Sequence, residues 1–233
     1  MHPLKRGDSF AHRLTLKTHR TMNIYNVIIL DESGSMSSIY RETLQSMNEV
    51  LGGIRKNQEE FPDQQHFVTF VTFEGLGIEG LKVRRDRVPI RSIANLTEKD
   101  YRPGGCTPLY DAMGTTLNEL EGLVGENDRV MVTIITDGYE NSSQEYSGRT
   151  VKTLVERLRK KGWVFAYIGA NQDAIEVAKD LNIANALNYD ASPTGMMELR
   201  FSVMGAHRKM SKLVHEDADL RCCDCLFDGD DNA

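Results

Sequence analysis

Three short stretches hold most of the oxygen-bearing side chains that can act together. Asp31-Glu32-Ser33-Gly34-Ser35 follows an apolar run at residues 24–30. Thr136-Asp137-Gly138 closes a second apolar run at 129–136, and Gly104-Gly105-Cys106-Thr107-Pro108 lies between the two. The candidate ligand atoms are the carboxylate and hydroxyl oxygens of Asp31, Ser33, Ser35, Thr107 and Asp137, with neither a histidine nor a thiolate called for. Such a set suits a hard divalent cation, Mg²⁺ ahead of Ca²⁺, with Mn²⁺ also admitted. Hydroxyl ligands are neutral, so two carboxylates leave the ion near charge balance, and an acidic group from elsewhere can complete its shell. Taken singly, each stretch has a plainer reading. Asp31 and Ser33 can cap a following helix, Asp137-Gly138 can be an ordinary turn, and Gly104-Gly105 can be loop slack. Taken jointly, the pattern favours the cation.

The elements that must carry these stretches alternate. Residues 24–30 read as a strand buried on both faces, followed by a helix over 38–54 with apolar positions Tyr40, Leu44, Met47, Leu51 and Ile54. Residues 66–73 read as a strand, and 81–88, stopped by Pro89, as an edge strand. After Pro108 comes a helix with the stripe Leu109, Met113, Leu117, Leu120 and Leu123. The β-branched run 129–136 has the composition of a central parallel strand. A helix over 151–161, a strand over 163–169, a helix over 173–181, a short strand near 186–189 and a helix over 194–214 complete the order. The stripe of the last helix is Met197, Val203, Met210 and Leu213, interrupted by Gly205 and diluted by Ser202, His207 and Arg208, which predicts one of the less firmly packed elements. This alternation predicts an α/β fold: a doubly wound, mostly parallel open sheet with helices on both faces. In such sheets ligands bind beyond the carboxyl ends of the strands, where the three stretches fall.

Asp31-x-Ser33-x-Ser35 after one strand, Gly-Gly-x-Thr107-Pro, and Thr-Asp137-Gly after a second strand together resemble the metal-ion-dependent adhesion site of von Willebrand factor type A domains. The resemblance covers roughly residues 22 to 214, and the wording GGCTPLYDA and TDGYENSS is nearer the intracellular bacterial branch of that family. It implies that Ser33 and Ser35 give hydroxyl oxygens directly to Mg²⁺, and that Thr107 binds directly or through water according to conformational state. Asp31 and Asp137 would act mainly through water. A sixth position would stay open to solvent or to an Asp or Glu of a partner protein. Glu32 and Cys106 fall at variable positions and are not expected to touch the metal. The resemblance also implies a shift of coordination between Asp137 and Thr107, coupled to movement of the final helix.

Composition sets outer limits. The chain has 233 residues and a net charge of −6, which argues against wholesale attraction to nucleic acid or an anionic membrane. Its longest apolar run is far short of the roughly 20 residues of a spanning helix. Cys106, Cys222, Cys223 and Cys225 make a poor disulfide framework and better suit a reducing cytoplasm. Residues 1–21 carry five basic side chains against Asp8 alone, and residues 215–233 carry seven acids against Arg221. Neither end has apolar periodicity, so both are expected to lie outside a domain at 22–214: a basic flexible leader and an acidic, cysteine-containing tail. The cysteine cluster with His207 and His215 has weak zinc-site character, because adjacent cysteines do not readily share one tetrahedral ion. Arg84-Arg85-Asp86-Arg87 reads as a solvated edge that discourages sheet-to-sheet pairing. His66 reads as structural and Trp163 as core.

These observations point to a metal-dependent protein-binding module rather than an enzyme. The alternative is a metal-dependent hydrolase or phosphatase using Asp31 as nucleophile. Against it, Ser33 stands where such an enzyme needs a second acid, and the three stretches contain no lysine or histidine. No glycine-rich nucleotide-binding loop follows the first strand.

Overall fold

The computed structural model describes residues 21–170 and 174–227. Six strands form one sheet: β1 (Met22–Asp31), β2 (Gln64–Phe73), β3 (Leu81–Pro89), β4 (Arg129–Thr136), β5 (Val164–Ala170) and β6 (Asn185–Tyr189). Their order across the sheet is β3-β2-β1-β4-β5-β6, and every pairing is parallel except β2 with β3. The described residues form five α-helices: α1 (Tyr40–Glu60), α2 (Leu109–Glu121), α3 (Gly148–Lys160), α4 (Ala174–Asp180) and α5 (Pro193–His215). One apolar cluster joins α2, α3 and α4 to one face of the sheet, and two others join α1 and α5 to the opposite face. This is the doubly wound α/β arrangement expected from the alternation. No described helix is long and apolar enough to cross a membrane.

β1 and β4 lie side by side at the centre, and both are buried along nearly their whole length. That is why their sequences are mostly apolar rather than alternating, with Asn26 and Thr133 as buried polar exceptions. β3 lies at the edge, and its register against β2 shifts on both sides of Phe70.

Several boundaries differ from the sequence reading. α1 runs through Gly52 and Gly53 to Glu60, well past residue 54. A side chain at Gly53 would meet Met204 of α5 at 3.1 Å, so this glycine permits the close approach of the two helices at a cost of about 1 kcal/mol in helix propensity. α2 stops at Glu121, leaving Leu123 outside the stripe and 54% exposed. Trp163 is buried in the core just before β5, as expected of a core residue. The helix start expected at Asp173 lies outside the described residues.

α5 differs most. Of the expected stripe, Val203 and Met210 are buried, Leu213 is half-buried and Met197 is 45% exposed; the buried face is Met196, Leu199, Val203, Ala206, His207, Met210 and Val214. His207 does not dilute this face but anchors it. Its Nδ1 lies 2.9 Å from Asn26 Oδ1 on β1, and its Nε2 lies 3.2 Å from Thr133 Oγ1 on β4. Asn26 Nδ2 in turn lies 3.3 Å from His66 Nδ1 on β2. A polar residue belongs inside when its hydrogen bonds are met there.

The segment after α5 does not stay off the core, as its acidity suggests it should. Leu220, Cys223 and Leu226 are buried against Ile24, Met131, Val164 and Met210. Asn185, the first residue of β6, fastens them: its Nδ2 donates to Cys223 O at 2.9 Å, and its Oδ1 accepts from Leu226 N at 2.8 Å. The described chain thus enters at the start of β1 and leaves beside the start of β6, both at the amino ends of the strands. Residues 1–20 and 228–233, the leader and the last part of the tail, lie outside the described residues.

Candidate metal centre

The parallel pairing of β1 with β4 sets Leu30 opposite Ile135, so Asp31 and Asp137 leave neighbouring strand ends together. Beyond Asp31 the chain turns through a short 3-10 segment (Gly34–Ile39) that brings Ser33 and Ser35 back over the strand ends. Ser33 Oγ and Ser35 Oγ lie 3.1 Å apart, and Ser35 Oγ donates to Asp137 Oδ1 at 2.5 Å. Thr107 closes the group from the third loop. Around the position a Cβ would take on Gly138, Thr107 Oγ1 lies at 3.4 Å, Ser35 Oγ at 3.7 Å and Asp31 Oδ2 at 4.0 Å. All five residues singled out in the sequence therefore converge on one spot.

Asp31 is not in a surface loop, as its place in a polar stretch suggests. It is completely buried, and Ser33, Thr107 and Asp137 are nearly so; Ser35 is exposed. Ser33 N donates to Asp31 Oδ1 at 2.7 Å and Thr136 Oγ1 to Asp31 Oδ2 at 2.6 Å. Burial pushes the Asp31 carboxyl up to about 6, against the pull of those hydrogen bonds and with help from the nearby charge of Asp137. Burial likewise raises Asp137, with the Ser35 bond opposing. Among the described residues no basic side chain hydrogen-bonds or ion-pairs with either carboxylate.

Two buried carboxylates without a counter-charge, surrounded by hydroxyl oxygens from three loops, match the donor chemistry of Mg²⁺. Among the described residues no group of three or more His, Cys, Asp and Glu is placed to hold a metal, so a site here depends on the hydroxyls. The same holds for the cysteine cluster: Cys222 and Cys225 are exposed, while burial pushes the Cys223 thiol up to about 11.

The supports of the site are residues that sequence reasoning passed over. Thr107 is held at both of its backbone groups by Asn141: Thr107 N donates to Asn141 Oδ1 at 2.9 Å, and Asn141 N donates to Thr107 O at 3.2 Å. Buried Asp111 on α2 accepts from the backbone N–H groups of Gln144, Glu145 and Tyr146 at 2.7–3.0 Å. Glu140 accepts from Tyr110 N, Ser142 N and Ser143 N. Tyr146 packs flat against Gly114, where any side chain would collide with its ring. The loop after β4 is thereby pinned to the first turns of α2, and Asp137 and Thr107 become parts of one body.

Glu32 is fully buried and accepts from Arg84 Nη2 at 2.9 and 3.0 Å and from Arg102 N. Arg84 is therefore not a solvated edge charge but the partner that ties β3 to the Asp31–Ser35 loop. The other two arginines of that run pair with Asp100 and Asp86. Gly105, at φ +68°, bends the third loop so closely against Glu74 and Gly75 that a side chain there would collide with both. The visible signal for these supports was the density of Asp, Asn, Glu and Ser in 137–147, a turn-forming composition whose distant partners leave no local trace.

The fold has solved counterparts. The SpRpn10 VWA domain covers 75% of this chain and 92% of its own at 12% identity, with a TM-score of 0.55. Proximal thread matrix protein 1 from the mussel byssus covers 79% of this chain at 17% identity and a TM-score of 0.53, over 46% of its own length. The pilus adhesin SpaC from Lactobacillus rhamnosus GG covers 84% at 11% identity and a TM-score of 0.58, over 30% of its own. At such identities the likeness shows the fold alone: the α/β fold that the SpRpn10 VWA domain also has. This chain spans about half the length of the mussel protein. No family model and no curated protein matches the sequence.

Proposed function

We propose that this protein is a divalent-metal-dependent protein-binding module, in which a cation at Asp31, Ser33, Ser35, Thr107 and Asp137 captures an Asp or Glu carboxylate of a partner. The observation that carries the reading is the pair of buried, uncompensated carboxylates set among three hydroxyls in the crevice beyond β1 and β4. Mg²⁺ is the preferred ion, with Mn²⁺ or Ca²⁺ as substitutes. Ser33, Ser35 and Thr107 would hold it by their hydroxyls, while Asp31 and Asp137 orient the surrounding water. The bound ion supplies a positive charge that a partner carboxylate can complete. Use of the same fold in a pilus adhesin and a thread matrix protein supports a binding role. The free cysteines, two of them exposed within one short segment, support an intracellular setting, and the motif wording supports a bacterial scaffold or regulator.

The hydrolase reading has no comparable support. No general acid stands at Ser33, and no basic group contacts the carboxylates among the described residues. Calorimetric titration with Mg²⁺ and Mn²⁺, with Ser35→Ala beside the wild type, tests the proposal. Binding by the wild type that is lost in the variant is the expected result. Heat-silent titrations with both ions, alone and with a carboxylate peptide, would overturn it.

A further inference from the structure

Tyr189 stands beside the proposed metal centre without a role in it, and the role inferred for it depends on that centre binding a cation. The residue closes β6 opposite Ala170, one residue beyond the pairing of Thr136 with Gly169, so it stands level with the Asp137 loop. Its side chain belongs to the apolar cluster that contains Leu30 at the end of β1, Met36 and Ile39 of the turn after Ser35, and Tyr101. The residue is only 8% exposed, yet its hydroxyl has no hydrogen-bond partner among the described residues. Tyr101, its neighbour in the cluster, does have one, donating to the Asp31 carbonyl oxygen at 2.9 Å. A buried donor without an acceptor is costly, and a phenylalanine would fill the same space without that cost.

The surroundings indicate what the hydroxyl is for. Burial, then the negative fields of Asp137 and Asp31, raise the Tyr189 phenol well above its ordinary range, so the proton stays on and the group is held as a donor beside two carboxylates. Asp137 Oδ1 is already taken by Ser35 Oγ, while among the described residues no side chain hydrogen-bonds to Oδ2. We propose that the Tyr189 hydroxyl is a positioning group of the metal centre, donating through one ordered water to the Asp137 carboxylate. It thereby fixes the plane of the carboxylate that orients the metal's own water. A residue acting at this remove tunes affinity without touching the ion.

Tyr189→Phe in the full chain tests this, with wild type and Asp137→Ala measured alongside. Mg²⁺ affinity is read by calorimetry and the melting temperature is read in chelator. The expected result is affinity about 10-fold weaker in Tyr189→Phe, the usual scale for such supports, with a melting temperature in chelator equal to the wild type or higher. Wild-type Mg²⁺ affinity in Tyr189→Phe, while Asp137→Ala has lost binding, overturns this inference and leaves the metal site standing. Weaker affinity together with a lower melting temperature in chelator also overturns it, because the hydroxyl then serves packing. Absence of Mg²⁺ binding by the wild type removes both the metal reading and this inference.

Discussion

Asp31 is a side chain unfavourable for the fold that the proposed function nonetheless requires. A carboxyl raised to about 6 is a group whose charge the folded protein resists. The folded state binds its proton more tightly than the unfolded chain, so the penalty is fully present above about pH 6 and absent below 3.8. Asparagine fits the same space. Its oxygen can accept from Ser33 N, and its amide can donate to Thr136 Oγ1, which already lies 3.0 Å from Gly138 O as an alternative acceptor. Asp31→Asn is therefore expected to stabilise the metal-free protein at pH 7 by about 1–3 kcal/mol while abolishing Mg²⁺ binding. Denaturant melts in chelator at pH 7 and at pH 4 check the sign, since most of the gain should be lost at the lower value. A less stable variant at pH 7 would mean that Asp31 is chiefly a cap for the turn after it. The five oxygen-bearing residues were legible because their spacing is local to three stretches. Asn141, Asp111, Glu140 and Glu32 were not, because each acts on backbone or charge more than 25 residues away.

Among elements, the strands were the easiest to read, since burial on both faces leaves a run rich in apolar and β-branched residues. α5 was misread because its inner face uses histidine, serine and small residues in place of a leucine stripe. The consequence is a firmly held helix, not a loose one. His207 and His66 are both buried, and burial lowers them to about 3 and about 4 from 6.5, with the two rings repelling each other's charge in the case of His207. Both take up protons in the unfolded chain at a higher pH than in the folded one, so stability is complete above about 6.5 and falls as the pH drops toward 4. We expect a loss of ~2–5 kcal/mol over that range, on the scale of two displaced titrations. It is best measured in the Asp31→Asn background, where the opposite trend of Asp31 is removed. Denaturant midpoints that stay level from pH 7 to pH 4.5 would contradict it. At neutral pH, hydrogen exchange in the middle of α5 should approach the protection of β4 rather than that of a fraying terminus. Any coordination shift that required this helix to slide would have to break the Asn26–His207–Thr133 contacts first.

At the scale of the whole molecule, the sheet and its helices followed from the alternation of elements, but the closing segment did not. Leu220, Cys223 and Leu226 recur at every third position inside an acidic stretch, a spacing masked by the charges between them. Removing residues 216–233 is accordingly expected to destabilise the protein rather than leave it unchanged. Leu226→Ala alone should cost about 2–4 kcal/mol, the usual range for emptying a buried leucine site. Thermal melts of both variants decide this, and a wild-type melting temperature in the truncated chain would show the segment to be dispensable. The same segment gives the molecule two poles. The loops that carry Asp31, Ser35, Thr107 and Asp137 crown one of them, and both described chain ends, residues 21 and 227, come out at the other. A tag, a neighbouring domain or a sensor surface coupled at either end would therefore present the loops outward. Attachment through the exposed Cys106 thiol, by contrast, would turn that crown against its support.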